Sequence, residues 1–567
     1  MRLVRSIAFF RSTAAGIELR TAASRCAVFS AILLIFAALV FTSSGNAQIG
    51  GTGSLQGTVT DPSGAVIANA VVTATNTATN AVSTQKTSDA GFYSIAALRA
   101  GTYTVEVSGA GFQRLSQQNV VIDALAVATV NLALTIGSNS DTVTVTEAPP
   151  QIETSNATLG QVMRNELYTS LPLAMNAGPR DPTAFVALVP GVQALSSQAA
   201  GSSFASFNGG QPYMNEVYIE GIPMTNAAAQ GETRNLAYSV SVEAIDQFQV
   251  ETNNSPAMYQ GQGIENYTIK SGANTFHGAA YEYFRNTVLD ARGYFPTFRQ
   301  PEKQNQFGGR IGGFILRDKL FFFGNYDGYR YRSTSNPTQQ SVPNTDFLNG
   351  NFSALLNIVD PATGRPAPQI IYDPLTTVCN PACSRSPFPG NIIPASRISA
   401  VSRSLASYLP KVDPSAGFGN NYTAIVPVGL NTNSTTERLD YNYSQRQRAY
   451  AVFSLGSYVT YPFAGISSGT SAIPLPYAAT RVVTEKPLTI QLHHLFTLTP
   501  NLLNQFGYSY ARLAIPITSA TSAGQYPTKA GLAGLPAGQA SNAFPTINFP
   551  TSLNSSILGG NQLAGFR

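Results

Sequence analysis

The sequence predicts a mainly β protein: a small β-sandwich, an α+β middle domain and an incomplete antiparallel membrane β-barrel follow one another. Charged residues make up only 11% of the 567 residues, whereas 43% are hydrophobic and 10% aromatic. This composition disfavours highly charged helical bundles, coiled coils and acidic disordered tails. Long segments also alternate apolar and polar side chains, which is the pattern of strands with two different faces.

The first 47 residues have the order of a secretory signal. Five arginines precede an uncharged apolar run from Ala27 to Phe41, and small polar residues then lead to Ala47. The run is shorter than the roughly 20 residues of a spanning helix, so we expect an export signal that is cleaved after Ala47. An uncut signal anchor is the alternative. This segment carries most of the net charge of +5, so the remainder offers little electrostatic attraction for nucleic acid.

Residues 50–137 have the pattern of short strands joined by turns. Tyr103, Val105 and Val107 share one face of a strand, while their sequence neighbours are mostly polar. Residues 61–64, Asp-Pro-Ser-Gly, predict a turn because Pro fixes φ and Gly allows a positive φ. We count about seven strands in this region, which predict a small β-sandwich.

Residues 141–270 combine helix and strand signals. Segments 161–170 and 185–189 are predicted helices, each followed by a proline that ends it. Segments 216–221 and 244–252 are predicted strands. The sequence therefore predicts a mixed middle domain.

Residues 271–567 contain longer strands with one apolar face. Phe307 and Ile311 lie on one face of a predicted strand and Arg310 on the other, and residues 317–319 form a tight turn. Two further hairpins follow, giving about seven strands. Apolar-out, polar-in alternation over about 10 residues predicts membrane strands. A soluble sandwich is the alternative, which the strand length and aromatic density disfavour.

Residues 332–436 are predicted to form one long loop rich in Pro, Asn and Ser. Long loops of this kind are typical of the outer side of membrane barrels. The loop contains Cys379 and Cys383, the only cysteines after the signal. A small disulfide is the preferred interpretation because exported proteins occupy an oxidising compartment. Metal binding is the alternative, although two thiols are only half of a zinc site.

The sandwich region resembles the carboxypeptidase regulatory-like domain. The resemblance lies in residues 57–65 (GTVTDPSGA), 87–93 (TSDAGFY) and 98–105 (LRAGTYTV). It implies a prealbumin-like fold related to carbohydrate-binding-like sandwiches. The domain name implies no peptidase activity, and no His or Cys lies between residues 48 and 276. A contact or glycan-binding module and a passive spacer both remain open.

The middle and last regions resemble TonB-dependent outer-membrane receptors of the Oar-like type. The matching runs are 171–173 (LPL), 189–192 (VPGV), 245–250 (IDQFQV) and 269–278 (IKSGANTFHG). The resemblance implies a plug at residues 141–270 and a barrel from residue 271. It also implies a Gram-negative outer-membrane location with the sandwich in the periplasm.

The resemblance implies partners as well as a fold. These are outer-membrane lipid, an energy complex of the TonB-ExbB-ExbD type and an extracellular ligand, with carbohydrate as one candidate class. No clear TonB box follows Ala47, so a structural or adhesion protein with a glycan-binding sandwich and no transport is the alternative function.

The strand count is small for this type of receptor. Outer-membrane transporter barrels have about 22 strands, whereas we count about seven. We therefore expect the chain to be a fragment or a truncated product. A small closed barrel is the alternative and requires an even number of strands.

The sequence offers no pattern for catalysis. His277 stands alone, and the adjacent His493 and His494 lie on opposite faces of a strand. No metalloprotease, hydrolase or phosphate-loop motif surrounds these histidines. We therefore expect no catalytic residues, no cofactor, no metal and no nucleic-acid partner.

Overall fold

The computed structural model describes most of residues 51–534. Its longest gaps are residues 147–158, 166–177, 195–204, 225–239 and 462–475, and beyond 534 it describes residues 542 and 544. The signal segment and the expected cleavage after Ala47 lie outside the described residues.

The N-terminal region forms two packed sheets, called the sandwich. Its strands are β1 (Thr52–Thr60), β2 (Val71–Asn76), β3 (Val82–Lys86), β4 (Phe92–Arg99), β5 (Gly101–Ser108), β6 (Arg114–Ile122), β7 (Val127–Thr129), β8 (Leu132–Ala133) and β9 (Thr142–Val145). One sheet has the order β4-β1-β7, with β8 also paired to β1, and the other has the order β3-β2-β5-β6-β9. The predicted sandwich is therefore confirmed.

The alternation of apolar residues builds the core of the sandwich. Val105 and Val107 are fully buried, as is Tyr93 from the facing sheet. The Tyr93 hydroxyl donates a hydrogen bond to the Val130 carbonyl at 2.7 Å, so its polar end has a partner inside the core. Strand β9 lies in the range predicted for the middle domain, but it pairs in parallel with β6 and extends the sandwich.

The middle domain is a five-stranded sheet with a small hairpin. Its strands are β10 (Leu159–Arg164), β11 (Val192–Ala194), β12 (Ala205–Phe207), β13 (Asn215–Ile219), β14 (Ile222–Pro223), β15 (Ile245–Asn253) and β16 (Gly263–Ile269). The sheet order is β10-β15-β16-β13-β14, and β11 pairs with β12. A 3-10 helix, Val242–Ala244, leads into β15.

The helix predicted over residues 161–170 is wrong at its start. Residues 161–164 belong to β10, where Met163 pairs with Phe248 of β15 and both side chains are buried. The pairing with β15 outweighs the local helix signal, because tertiary packing commonly overrides propensity. Residues 166–170 lie outside the described part. The two predicted strands are confirmed as β13 and β15.

The last region forms the large sheet and the segments that connect its strands. The strands are β17 (His277–Asn286), β18 (Glu302–Leu316), β19 (Leu320–Thr334), β20 (Thr338–Gln340), β21 (Val378–Cys379), β22 (Cys383–Ser384), β23 (Tyr422–Ala424), β24 (Pro427–Asn442), β25 (Gln447–Tyr461), β26 (Arg481–Thr499), β27 (Leu502–Ala514) and β28 (Ile517–Ser519). The large sheet is antiparallel with the order β17-β18-β19-β24-β25-β26-β27, and β28 pairs with β26.

The connections give the large sheet two different ends. Residues 317–319 and 443–446 join strands at one end, called the short-turn end, where β26 also ends at Thr499 and β27 begins at Leu502. Much longer segments join them at the other, called the long-loop end. The loop predicted over residues 332–436 is shorter than expected, because β19 continues to Thr334 and β24 begins at Pro427.

The long connection between β19 and β24 has structure of its own. It contains the helices Thr345–Leu348 and Ala400–Ala406 and the 3-10 helices Ser353–Asn357, Pro374–Thr376, Pro389–Asn391, Ala395–Arg397 and Pro414–Ala416. Val342, Leu409 and Val412 form a small buried cluster with Phe544. A later helix, Tyr526–Ala530, packs beside this cluster.

The two faces of the large sheet differ as the alternation predicts. Ile311 and Leu439 are exposed on the outer face, whereas Gln304 is buried on the inner face. The inner face departs from the predicted polar pattern at the short-turn end, where Phe321 and Phe323 are buried. Among the described residues, no helix is long and apolar enough to cross a membrane.

Candidate functional site

The middle domain packs on the inner face of the large sheet. The Arg180 backbone N–H donates to Gln306 Oε1 at 2.9 Å, and Ser241 Oγ donates to Asp327 Oδ2 at 3.1 Å. On a distant strand, Gln491 Nε2 donates to a middle-domain backbone carbonyl at 3.2 Å. Contacts to β18, β19 and β26 show that the sheet curves around this domain.

Glu243 is the centre of one buried ion cluster at this boundary. Its carboxylate accepts hydrogen bonds from Arg310 Nη1 at 2.5 Å, Tyr283 Oη at 3.0 Å and Arg180 Nη1 at 3.3 Å. Its backbone carbonyl accepts one from Lys270 Nζ at 3.1 Å. Burial, together with the nearby Arg310 charge, lowers the pKa of Lys270 to about 8, although Glu243 opposes this shift.

Glu220 forms a second buried ion cluster nearer the short-turn end. Arg438 of β24 donates to the Glu220 carboxylate and, through Nε at 3.0 Å, to Asp440. Arg438 Nη1 also donates to the Ile269 carbonyl at 3.1 Å. Glu220 and Arg438 are each less than 5% exposed, so loss of Arg438 leaves Glu220 without its positive partner in a buried site. Loss of Glu220 leaves Arg438 paired with Asp440.

An open cavity lies at the other end of the middle domain. It has a volume of about 740 Å³, and its lining combines glycines and the polar residues Asn208, Asn253 and Gln262 with the apolar residues Val189, Pro190 and Phe207. β15 and β16 are antiparallel, and Ile245 pairs with Ile269 beside the two ion clusters. The cavity residues lie at the opposite ends of these strands, away from the short-turn end.

The cysteines and histidines singled out in the sequence do not meet at one site. Cys379 and Cys383 are register partners in the β21–β22 hairpin and are joined by a disulfide. His493 faces inward and stacks on Tyr450, with ring centroids 4.3 Å apart. His277 is exposed at the start of β17. The described residues contain no group of three or more His, Cys, Asp and Glu side chains able to hold a metal ion.

The two ion clusters were not predicted from the sequence. Arg310 occupies an inward-facing position in the alternation of β18, and Arg438 and Asp440 share one face of β24. Their partners Glu220 and Glu243 lie on turns and short helices that carry no periodic signal. Only the three-dimensional packing of the middle domain pairs these charges.

Comparison with known families gives three matches in chain order. Residues 54–135 match a carboxypeptidase regulatory-like domain, residues 174–265 match a TonB-dependent receptor plug domain, and residues 268–566 match an outer membrane beta barrel domain. The last match covers more than half of the chain. The chain therefore belongs to the outer-membrane β-barrel family, and it carries a regulatory-like domain and a TonB-dependent receptor plug domain ahead of the barrel.

The chain covers only part of the length of each of the relatives that follow. The chain is 26% identical over 309 residues to the TonB-dependent transporter Oar of Myxococcus xanthus, covering 52% of this chain and 28% of that protein. The siderophore receptor PirA of Acinetobacter baumannii is 15% identical over 64% of this chain, with a TM-score of 0.35. The ferric enterobactin receptor of Pseudomonas aeruginosa is 12% identical over 63%, also with a TM-score of 0.35. The chain spans 41% of each of these two receptors.

Proposed function

We propose that this chain acts in the uptake of an extracellular ligand across the outer membrane. The middle domain acts as the plug and stays in place until a ligand and an energy source displace it. The single observation that supports this most strongly is the pair of buried ion clusters around Glu220 and Glu243. They hold the middle domain against the large sheet, and the side chains of Glu220, Glu243 and Arg438 in them are almost entirely buried.

The cavity lined by Asn208, Asn253 and Gln262 is the proposed ligand contact on the middle domain. It lies away from the short-turn end, and membrane barrels carry their short turns on the periplasmic side. The cavity therefore faces the side from which an extracellular ligand enters. Its lining combines amide side chains with Val189, Pro190 and Phe207, which favours a ligand that offers both hydrogen-bonding groups and apolar surface.

We further propose that the sandwich lies in the periplasm and that an inner-membrane complex of the TonB type drives the release step. The sandwich contacts the short-turn end of the large sheet, for example between Asn80 and Asp318. The same assignment of the short turns to the periplasmic side supports this placement.

Uptake is tested by untargeted mass spectrometry of the growth medium. Cells that produce the chain and cells that lack it are compared, with and without a protonophore. We expect at least one solute to be removed only by producing, energised cells. Asn253→Trp, which places a large side chain at the cavity, should abolish this removal while leaving the protein in the membrane.

If no solute is removed by the producing, energised cells alone, the result contradicts the uptake proposal. If the cells that lack the chain also lose surface attachment, the result would favour the alternative of a structural or adhesion protein. Binding that persists after protonophore addition, without removal of the solute into cells, would separate ligand recognition from energy coupling.

A further inference from the structure

The sandwich is fastened to the short-turn end of the large sheet. Asn80 Nδ2 donates to Asp318 Oδ1 at 3.0 Å in the turn between β18 and β19. Arg448 Nη2 at the start of β25 donates to Ser83 Oγ at 2.6 Å. The contacted residues lie on strands that are not neighbours in the sheet, so the sandwich spans several strands.

The interface between the two is closed rather than open to solvent. Phe321 is fully buried although it lies on the inner face of β19. It lines a cavity of only about 50 Å³ together with Tyr103 of the sandwich and Tyr450 of β25. An apolar residue at this position of a polar inner face is explained by the sandwich that covers it.

An uninterrupted chain of charges crosses this interface into the middle domain. Arg99 at the end of β4 lies with its Nη1 2.9 Å from Asp440 Oδ1 of the large sheet. Asp440 pairs with Arg438, which in turn pairs with Glu220 of the middle domain. We call these four residues the charge chain, which comprises two positive and two negative groups.

The sandwich also touches the last member of the charge chain directly. Gly51, which has φ +78°, lies so close to Glu220 that a methyl group on its Cα would be 2.1 Å from Glu220 Oε2. Glu220 itself has φ +52° in the two-residue turn between β13 and β14. Such a backbone is unfavourable for glutamate and persists where the surroundings hold it. A second link joins Arg164 of β10 to Asp123 of the sandwich at 2.7 Å.

We propose that the sandwich is a latch for the middle domain. While it is docked, Arg99 shares the Asp440 carboxylate with Arg438, and Arg438 Nη1 holds Glu220. When the sandwich leaves, Asp440 loses Arg99 and draws the Arg438 guanidinium more strongly, away from Glu220, so that water reaches Glu220. Undocking therefore loosens the lower end of the middle domain. This inference rests on contacts within the chain and requires neither a ligand nor an energy source.

Docking is measured first, in the full chain in detergent micelles. Asn80→Cys and Asp318→Cys are introduced together into a Cys379→Ser, Cys383→Ser background, and the yield of the new disulfide is followed under mild oxidation. We expect efficient cross-linking. Absence of the cross-link in this background would overturn the docked arrangement.

The charge chain is then interrupted with Arg99→Gln. The docking equilibrium should weaken roughly tenfold, because a hydrogen bond between charged groups is lost, and the rate of cross-linking should fall with the docked fraction. Arg114→Gln, an exposed substitution elsewhere on the sandwich, is the matched control and should leave the rate unchanged. Ser83→Ala, which removes a docking contact without touching the charge chain, should also lower it.

If the sandwich is a latch, its release must loosen the middle domain. Hydrogen exchange of the amides in residues 215–223 and 263–269 should accelerate about threefold or more in Arg99→Gln and in Ser83→Ala, because both release the sandwich. Slower cross-linking with unchanged exchange in these segments would show docking without coupling, and would overturn the latch.

Discussion

Replacing Glu243 by glutamine tests how firmly the middle domain is held inside the large sheet. Glutamine keeps the size of the side chain and can still accept a hydrogen bond from Tyr283. It removes the negative charge, however, and leaves Arg180, Arg310 and Lys270 facing one another at the same boundary. The substitution therefore isolates the electrostatic part of the contact.

The size of the effect follows from the burial of the cluster. The side chains of Glu243 and Arg180 are each 5% exposed, whereas that of Arg310 is 23% exposed. Removal of one partner from a buried ion pair destabilises by about 3–5 kcal/mol, and the partial exposure of Arg310 favours the lower end. A change of about 3 kcal/mol corresponds to roughly 150-fold in an opening equilibrium.

The measurement is hydrogen exchange of the amides in β15 and β16 in detergent micelles. Their exchange by local opening should accelerate by about two orders of magnitude in Glu243→Gln. The control is Glu302→Gln, at the far end of β18, because Glu302 and its partner Arg285 are both partly exposed, with side chains 24% and 38% accessible. Solvent screening weakens such a pair, so its loss should cost less than the loss of the Glu243 cluster. Equal exchange rates in the two variants would refute the account of this cluster.

Three further outcomes are expected. Tyr93→Phe leaves the buried Val130 carbonyl without its 2.7 Å donor, so exchange of the amides in β4 should rise about fivefold for a loss near 1 kcal/mol; no change would argue against that hydrogen bond. Lys270 has a folded pKa of about 8 against 10.5, so the unfolded state binds more protons between these values and the middle domain should become more stable as pH rises through them. Lys270→Met should flatten this dependence, and a dependence that persists in the variant would assign it to another group. Intact mass should be lower by two hydrogen atoms before reduction than after it, because Cys379 and Cys383 are joined; equal masses would contradict the bond.

The strands were predictable where one face is apolar and the other polar. In the sandwich, the alternation at Val105 and Val107 predicts their strand because every second residue is buried in the core. In the large sheet the same period marks β18 and β19. Strand β16 was missed because all seven of its residues are buried and include Glu265, which gives no alternation to detect. The error over residues 161–164 has a different origin, since pairing with β15 and not local preference determines β10.

The site was much less predictable than the fold. Arg438 and Asp440 both occupy inward-facing positions of β24, as the alternation in the sequence indicates. This position alone does not identify their partners. Glu220 is 218 residues away from Arg438 along the chain and lies in a turn. The docking of Arg99 depends on the relative placement of two domains, for which no local pattern exists. Phe321 lies on the otherwise polar inner face and is buried there beside Tyr103 of the sandwich, a contact that only the docking of the two domains creates.

The central claim is that the outer face of the large sheet contacts lipid while the inner face encloses the middle domain. The sequence contains no tryptophan, so one introduced tryptophan reports on its own surroundings. Phe453 is 38% exposed on the outer face and Tyr450 is 8% exposed on the inner face of the same strand. In vesicles with brominated phospholipid, fluorescence of Phe453→Trp should be strongly quenched and that of Tyr450→Trp should not. Unquenched fluorescence from Phe453→Trp would contradict the claim.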